Sequence, residues 1–177
     1  MKPKIIKAHM KTAENYAGLS TAVRLQVGSI IVKDDRIISI GYNGMPSGWD
    51  NTCEDRVYMS RDAGGWLNPD EIEERWPFEE EVELVDPDDG AFVTTRRYAL
   101  KTKPEVLHAE ANAIAKVARS SESAEGSVLF VTHSPCIECA KLIYQSGIKQ
   151  VFYRDNYRNS SGIDFLKQAG VIVNKFD

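Results

Sequence analysis

Two short stretches place the strongest condition on how this chain can fold: Leu107-His108-Ala109-Glu110-Ala111, and further on Ser134-Pro135-Cys136-Ile137-Glu138-Cys139. Between them they offer one imidazole, two thiols and one spare carboxylate. An imidazole and two thiolates suit Zn²⁺, and an ion held by three protein groups keeps a fourth position open to water, as reactive sites do and structural sites do not. The fold must therefore bring two separate segments to one point.

Each segment reads as the start of a helix. Ser134 is placed to cap a helix whose first position is Pro135, where a missing N–H costs nothing, and Cys136 and Cys139 then stand at i and i+3 on one face. Helix N-termini also favour thiolate over thiol. Zn²⁺ lowers the pKa of a coordinated water to roughly 7. Glu110 lies two residues beyond His108, close enough to serve such a water as a proton shuttle without ligating the metal. A redox Cys-x-x-Cys or a pair of core cysteines is the plainer alternative for Cys136 and Cys139; His108-Ala109-Glu110 and Pro135 favour the metal.

At 177 residues, 42% hydrophobic and 27% charged, the chain suits a single domain with a core of its own. Three cysteines, two of them assigned to the metal, leave only Cys53 and no disulfide framework, which fits a reducing, cytoplasmic setting. No stretch approaches the ~20 apolar residues needed to span a bilayer, so no membrane is expected. A net charge of −4 and a pI near 5.5 argue against a nucleic-acid polymer as partner, because such binding rests on basic surfaces. A small anionic ligand needs only a few local donors.

From about Lys4 to Gly18, Ile5, Ile6, His9, Met10, Ala13 and Ala17 recur at near-helical spacing, with His9 packed on the apolar side. Residues 27–33 and 36–41 form two β-rich runs joined at Asp34-Asp35, a hairpin, which leads into Gly41-Tyr42-Asn43-Gly44-Met45-Pro46-Ser47-Gly48. From about 50 to 104 the composition turns acidic and Pro-broken. This stretch reads as an insertion with a solvated face and one short helix capped by Asn68, and Trp49, Trp66 and Trp76 as packing residues. A helix over about Leu107–Arg119, a buried strand over 127–132, the cysteine helix, a strand over 150–154, a helix over about 161–169 and a strand over 171–173 complete a βαβ pattern. The sheet is therefore mixed, with helices on both faces and the ligands at adjacent helix starts.

With His108-Ala109-Glu110, Pro135-Cys136-x-x-Cys139, the preceding hairpin and the following βαβ pattern, nearly the whole chain resembles the zinc-dependent cytidine deaminase superfamily. Gly41 to Gly48 and Cys139 to Ile148 are similar to the deoxycytidylate deaminase family. The resemblance implies a three-layer α/β/α fold with a mixed five-stranded sheet, one domain over 1–177 and the insertion at about 50–104. It implies Zn²⁺ on His108, Cys136 and Cys139, Glu110 as proton shuttle, and conversion of dCMP to dUMP and ammonia, a supply of thymidylate precursor. It further implies activation by dCTP and inhibition by dTTP through a site including Gly41, Tyr42, Asn43 and Gly44, Mg²⁺ alongside a triphosphate effector, and a homohexamer. Substrate contacts are expected at Asn43, Ala109, Ser134 and Tyr153, with Arg24 and Arg154 as phosphate candidates. A second, structural zinc site is not expected, since only Cys53 remains for it. Two other classes share the metal motif: a polynucleotide deaminase acting on tRNA adenosine or DNA cytosine, which needs a basic groove, and a zinc scaffold, which has no use for Glu110.

Overall fold

The computed structural model describes residues 1–60, 69–86 and 90–176, which fall into two compact units: Met1–Cys53 with Pro104–Asp177, and Glu54–Lys103. Asn68, Trp66 and residues 87–89 of the acidic stretch lie outside the described residues. None of the described helices is long and apolar enough to cross a membrane.

The first unit opens with α1 (Pro3–Ala17), with Pro3 at its start. Strands β1 (Gly28–Lys33) and β2 (Arg36–Tyr42) follow as a hairpin whose two-residue turn, Asp34-Asp35, has φ of 49° and 58°. Such turns match the strand twist, and Asp is among the few L-residues that accept left-handed backbone. After the second unit come α3 (Ala109–Ala118), β6 (Val128–His133), α4 (Ile137–Gln145), β7 (Gln150–Asp155), α5 (Ser161–Gln168) and β8 (Ile172–Lys175). The five strands form one sheet in the order β2-β1-β6-β7-β8, antiparallel as far as β6 and parallel beyond it.

Both faces of this sheet are covered. Met10 and Ala13 of α1 pack with Ile30, Val32, Phe130 and Phe152 on one face. His9 joins them with its ring 5.2 Å from that of Phe130, and burial lowers its pKa. On the other face Ala113 and Val117 of α3, Ala140 and Ile143 of α4, and Ile163 and Leu166 of α5 pack with Ile31, Leu129, Val131 and Val151. The sequence expectation of a mixed five-stranded α/β sheet is met.

The second unit holds more structure than its composition suggests. It contains β3 (Glu54–Tyr58), α2 (Pro69–Arg75), β4 (Phe78–Asp86) and β5 (Gly90–Thr102), the strands pairing antiparallel in the order β3-β5-β4. Glu79 stands opposite Arg97 and Glu80 opposite Arg96, while Arg97 pairs with Glu79 and Arg56 with Glu80. Tyr98 lies between Phe78 and Tyr58, ring centroids 5.4 and 5.9 Å away. Cross-strand pairs of these kinds stabilise sheets without an apolar alternation in the sequence.

Candidate active site

The site is built where the first residues of α3 and α4 meet. His108 and Cys136 are the N-cap residues of these helices, both in extended backbone. The helices therefore begin later than the sequence pattern suggests: Cys136 precedes α4 instead of lying within it, and Cys139 is its third residue. Ser134 does not cap α4. Its N–H donates to Asp155 O at 2.8 Å, and its Oγ accepts the Tyr157 N–H at 2.7 Å.

Two N-cap residues facing each other bring two helix-dipole ends, each partly positive, to one point, which favours thiolate there. His108 Nδ1 lies 3.5 Å from Cys136 Sγ and 3.3 Å from Cys139 Sγ. Tetrahedral zinc with bonds of about 2.3 Å to sulfur and about 2.0 Å to nitrogen separates such ligand atoms by about 3.5 Å, so the donor set fits the ion in chemistry and in spacing. Among the described residues these three form the one group of ligating side chains gathered closely enough to hold a metal. Cys53 is buried and lies apart from it, with Sγ 3.4 Å from Thr21 Oγ1.

The electrostatics divide the two sulfurs. Hydrogen bonds from Cys139 and then His108 pull the Cys136 thiol down to about 3, and the same contact with Cys136 raises the pKa of His108. Cys139, bonded to that thiolate and buried, is pushed up. Glu110, in the first turn of α3 and 4% exposed, is raised chiefly by burial. Its carboxyl is therefore adapted to carry a proton. His108 is open to solvent and Cys136 half-buried, so the site is reachable from outside, with Glu110 and Cys139 at its base.

The sheet holds α3 by contacts that the sequence pattern did not reveal. Ser29 Oγ donates to Ala109 O at 2.8 Å, and Ser39 Oγ to Ala113 O at 2.7 Å; both serines are buried. Gly41 lies directly under the same turn: a Cβ there would stand 2.1 Å from Ala109 O. Asn112 Nδ2 donates to Tyr42 O at 3.1 Å, and Gly44 and Leu107 exchange backbone hydrogen bonds of 3.1 and 2.9 Å just before His108. The signal that could have found Ser29 and Ser39 is a hydroxyl on each of two paired strands, set to face the small residues Ala109 and Ala113 one helical turn apart.

The remaining expected residues divide. Ala109 and Ser134 lie beside the ligands, as backbone neighbours of His108, Glu110 and Cys136. Gly41, Tyr42 and Gly44 buttress α3. Asn43 has both ends of its amide engaged, Oδ1 accepting from Val27 N at 2.7 Å and Nδ2 donating to Leu25 O at 2.8 Å, which fixes the segment after the exposed Arg24. Two more lie on β7. Tyr153 is 8% exposed and packs on the sheet face covered by α3, α4 and α5, the face that carries the ligand-bearing helices. Arg154 points to the α1 face, where it pairs with Glu14 at 2.9 Å and with Asp155 at 2.8 Å, so its guanidinium is already engaged by carboxylates.

Comparison with known proteins agrees with this geometry. Residues 3–155 match the model of the cytidine and deoxycytidylate deaminase zinc-binding region. The deoxycytidylate deaminase of Enterobacteria phage T4 is 38% identical over 160 residues, which span 84% of this chain and 77% of that protein. The human deoxycytidylate deaminase is 35% identical over 158 residues, 85% of this chain and 67% of its own length. The dCMP deaminase of cyanophage S-TIM5, solved in complex with dCMP and dUMP, superposes with a TM-score of 0.72 at 40% identity, covering 99% of both chains. The donor set, the buried carboxyl beside it and these likenesses lead to one conclusion: the chain belongs to the cytidine and deoxycytidylate deaminase family, and it is a deaminase.

Proposed function

We propose that the chain hydrolyses dCMP to dUMP and ammonia. The observation that carries this reading is the buried Glu110 carboxyl set beside the His108–Cys136–Cys139 donor set, in a chain whose relatives of 35–40% identity are deoxycytidylate deaminases. Zn²⁺ held by His108, Cys136 and Cys139 would supply Lewis-acid chemistry, making a coordinated water acidic enough to attack near neutral pH. Glu110 takes the proton released in the attack and delivers it to the pyrimidine ring nitrogen; it then takes the proton of the added hydroxyl, as the carbonyl forms, and passes it to the departing amine as the carbon–nitrogen bond breaks. Burial suits it to the shuttle, because raising its pKa makes the carboxylate a stronger base toward the water and keeps the proton on the carboxyl between transfers. Ala109, through its backbone, and Ser134 are the assigned substrate contacts nearest these groups, and Arg24 is the phosphate candidate. Tyr153, on the sheet face that carries α3 and α4, is the proposed ring against the pyrimidine, and Arg154 is left out because its guanidinium pairs with Glu14 and Asp155.

Regulation belongs to the same proposal: dCTP activates and dTTP inhibits, with Mg²⁺ accompanying the triphosphate, at Gly41, Tyr42, Asn43 and Gly44. Because Gly41, Tyr42 and Gly44 brace α3, an effector bound there has a short path to His108 and Glu110. A homohexamer in the cytoplasm that supplies thymidylate synthesis completes the reading. A polynucleotide substrate is disfavoured by the net charge of −4. Loss of cytosine absorbance, followed with dCMP, deoxycytidine, CMP and single-stranded DNA, tests the choice. dCMP is expected to react fastest. Equal rates on deoxycytidine, or faster turnover of DNA, would overturn it, and indifference to dCTP and dTTP would remove the regulatory part.

A further inference from the structure

Gly162, the second residue of α5, is buried against the turn that presents Cys136. A Cβ built on it would lie 2.0 Å from Pro135 O and 2.9 Å from the carbonyl carbon and oxygen of Cys136. Real side-chain carbons do not approach backbone so closely, so α5 rests on this turn with no room for even a methyl group. Conformation gives no other reason for glycine here: the position is helical, its φ lies outside the left-handed region, and helix propensity favours alanine. The same segment grips Ser134, which is 4% exposed and hydrogen-bonded to Asp155 O and Tyr157 N. Cys136 itself makes no side-chain cap bond to its own helix. Apart from its contacts with His108 and Cys139, its sulfur is located by the backbone around it.

We infer that Gly162, together with Ser134, is a positioning residue that sets the Cys136 sulfur at ligating distance from His108 and Cys139. The inference rests on the zinc site proposed above and adds a distinct element to it: residues 155–162, which supply no ligand, fix where one ligand stands. Outer contacts that orient metal ligands are commonly worth about 10–100-fold in affinity.

The test uses the full chain as wild type, Gly162→Ala, Ser134→Ala and the control Gly18→Ala, whose Cβ would meet only Asn15 O at an ordinary 3.4 Å. Zinc affinity is read by competition with a chromophoric chelator, thermal midpoints are read with and without zinc, and Co²⁺ absorption reports the ligand geometry. Gly162→Ala should weaken zinc binding about tenfold or more and diminish the Co²⁺–thiolate spectrum. Its thermal midpoint should fall further in the zinc-loaded form than in the stripped form. Ser134→Ala, which adds no volume, should weaken binding in the same direction and carries the test if Gly162→Ala does not fold. Gly18→Ala should behave as wild type. Unchanged zinc affinity in Ser134→Ala and in a folded Gly162→Ala, or equal losses of midpoint with and without zinc, would overturn the inference while leaving the zinc site standing. A wild-type chain that binds no zinc would overturn both.

Discussion

Replacing Gly41 by alanine tests how tightly the hairpin controls α3. The added methyl carbon would stand 2.1 Å from Ala109 O and 2.7 Å from Ala113 N. Non-bonded heavy atoms settle at about 3.5 Å, so α3 must retreat by about 1 Å or β2 must bend away. A retreat of that size stretches the hydrogen bonds from Ser29 Oγ to Ala109 O and from Ser39 Oγ to Ala113 O beyond useful length, since they now measure 2.8 and 2.7 Å. Overpacking of this kind costs about 1–3 kcal/mol, and each buried hydrogen bond about 1 kcal/mol. The total, about 3–5 kcal/mol, is a large share of the ~5–15 kcal/mol that holds a domain folded. The same displacement moves His108 and Glu110, and a misplacement of about 1 Å costs about 10²-fold in rate. Urea unfolding followed by circular dichroism measures the first effect, and initial rates on dCMP without effectors measure the second. A Gly41→Ala protein with the wild-type urea midpoint and the wild-type kcat would refute the reasoning. A lower midpoint with undiminished kcat would show that α3 moves without carrying Glu110 along.

Arg154→Leu should leave the KM for dCMP close to wild type, because Glu14 and Asp155 already occupy the guanidinium; a rise of about tenfold, the loss of a charge-assisted contact, would return Arg154 to the substrate site. His9→Phe should flatten the acid limb of the stability curve. Burial lowers the pKa of His9, so below pH ~6.5 the unfolded chain binds the proton more readily, and stability falls as pH drops from there through the folded value. Urea midpoints measured between pH ~5 and ~7 check this, and an undiminished slope in His9→Phe would contradict it.

What could be read from the sequence was local. The ligand set needs only residue type and spacing, and the hairpin at Asp34-Asp35 and the βαβ pattern declare themselves through short-range periodicity and turn chemistry. What escaped depended on the partner segment. In Glu79-Glu80-Glu81 the charges hide a strand whose carboxylates are answered by Arg97 and Arg56, residues too distant in sequence to pair in advance. The surroundings of Tyr153 and Arg154 lay beyond local reading: adjacent strand residues point to opposite faces, and only the assembled sheet shows that one faces the core under α3, α4 and α5 and the other faces α1. Gly41, singled out for a nucleotide, is also the floor on which α3 rests, a contact set by tertiary packing.

The central claim is that a zinc-binding donor set and an unligated Glu110 together perform the deamination. Zinc content and dCMP turnover measured on the same preparations of wild type and Glu110→Gln test it most directly. The account predicts one zinc ion per chain in both proteins, and turnover lost by several orders of magnitude in the variant alone. Full activity in Glu110→Gln, or wild-type turnover of dCMP by a chain that holds no zinc, would contradict it.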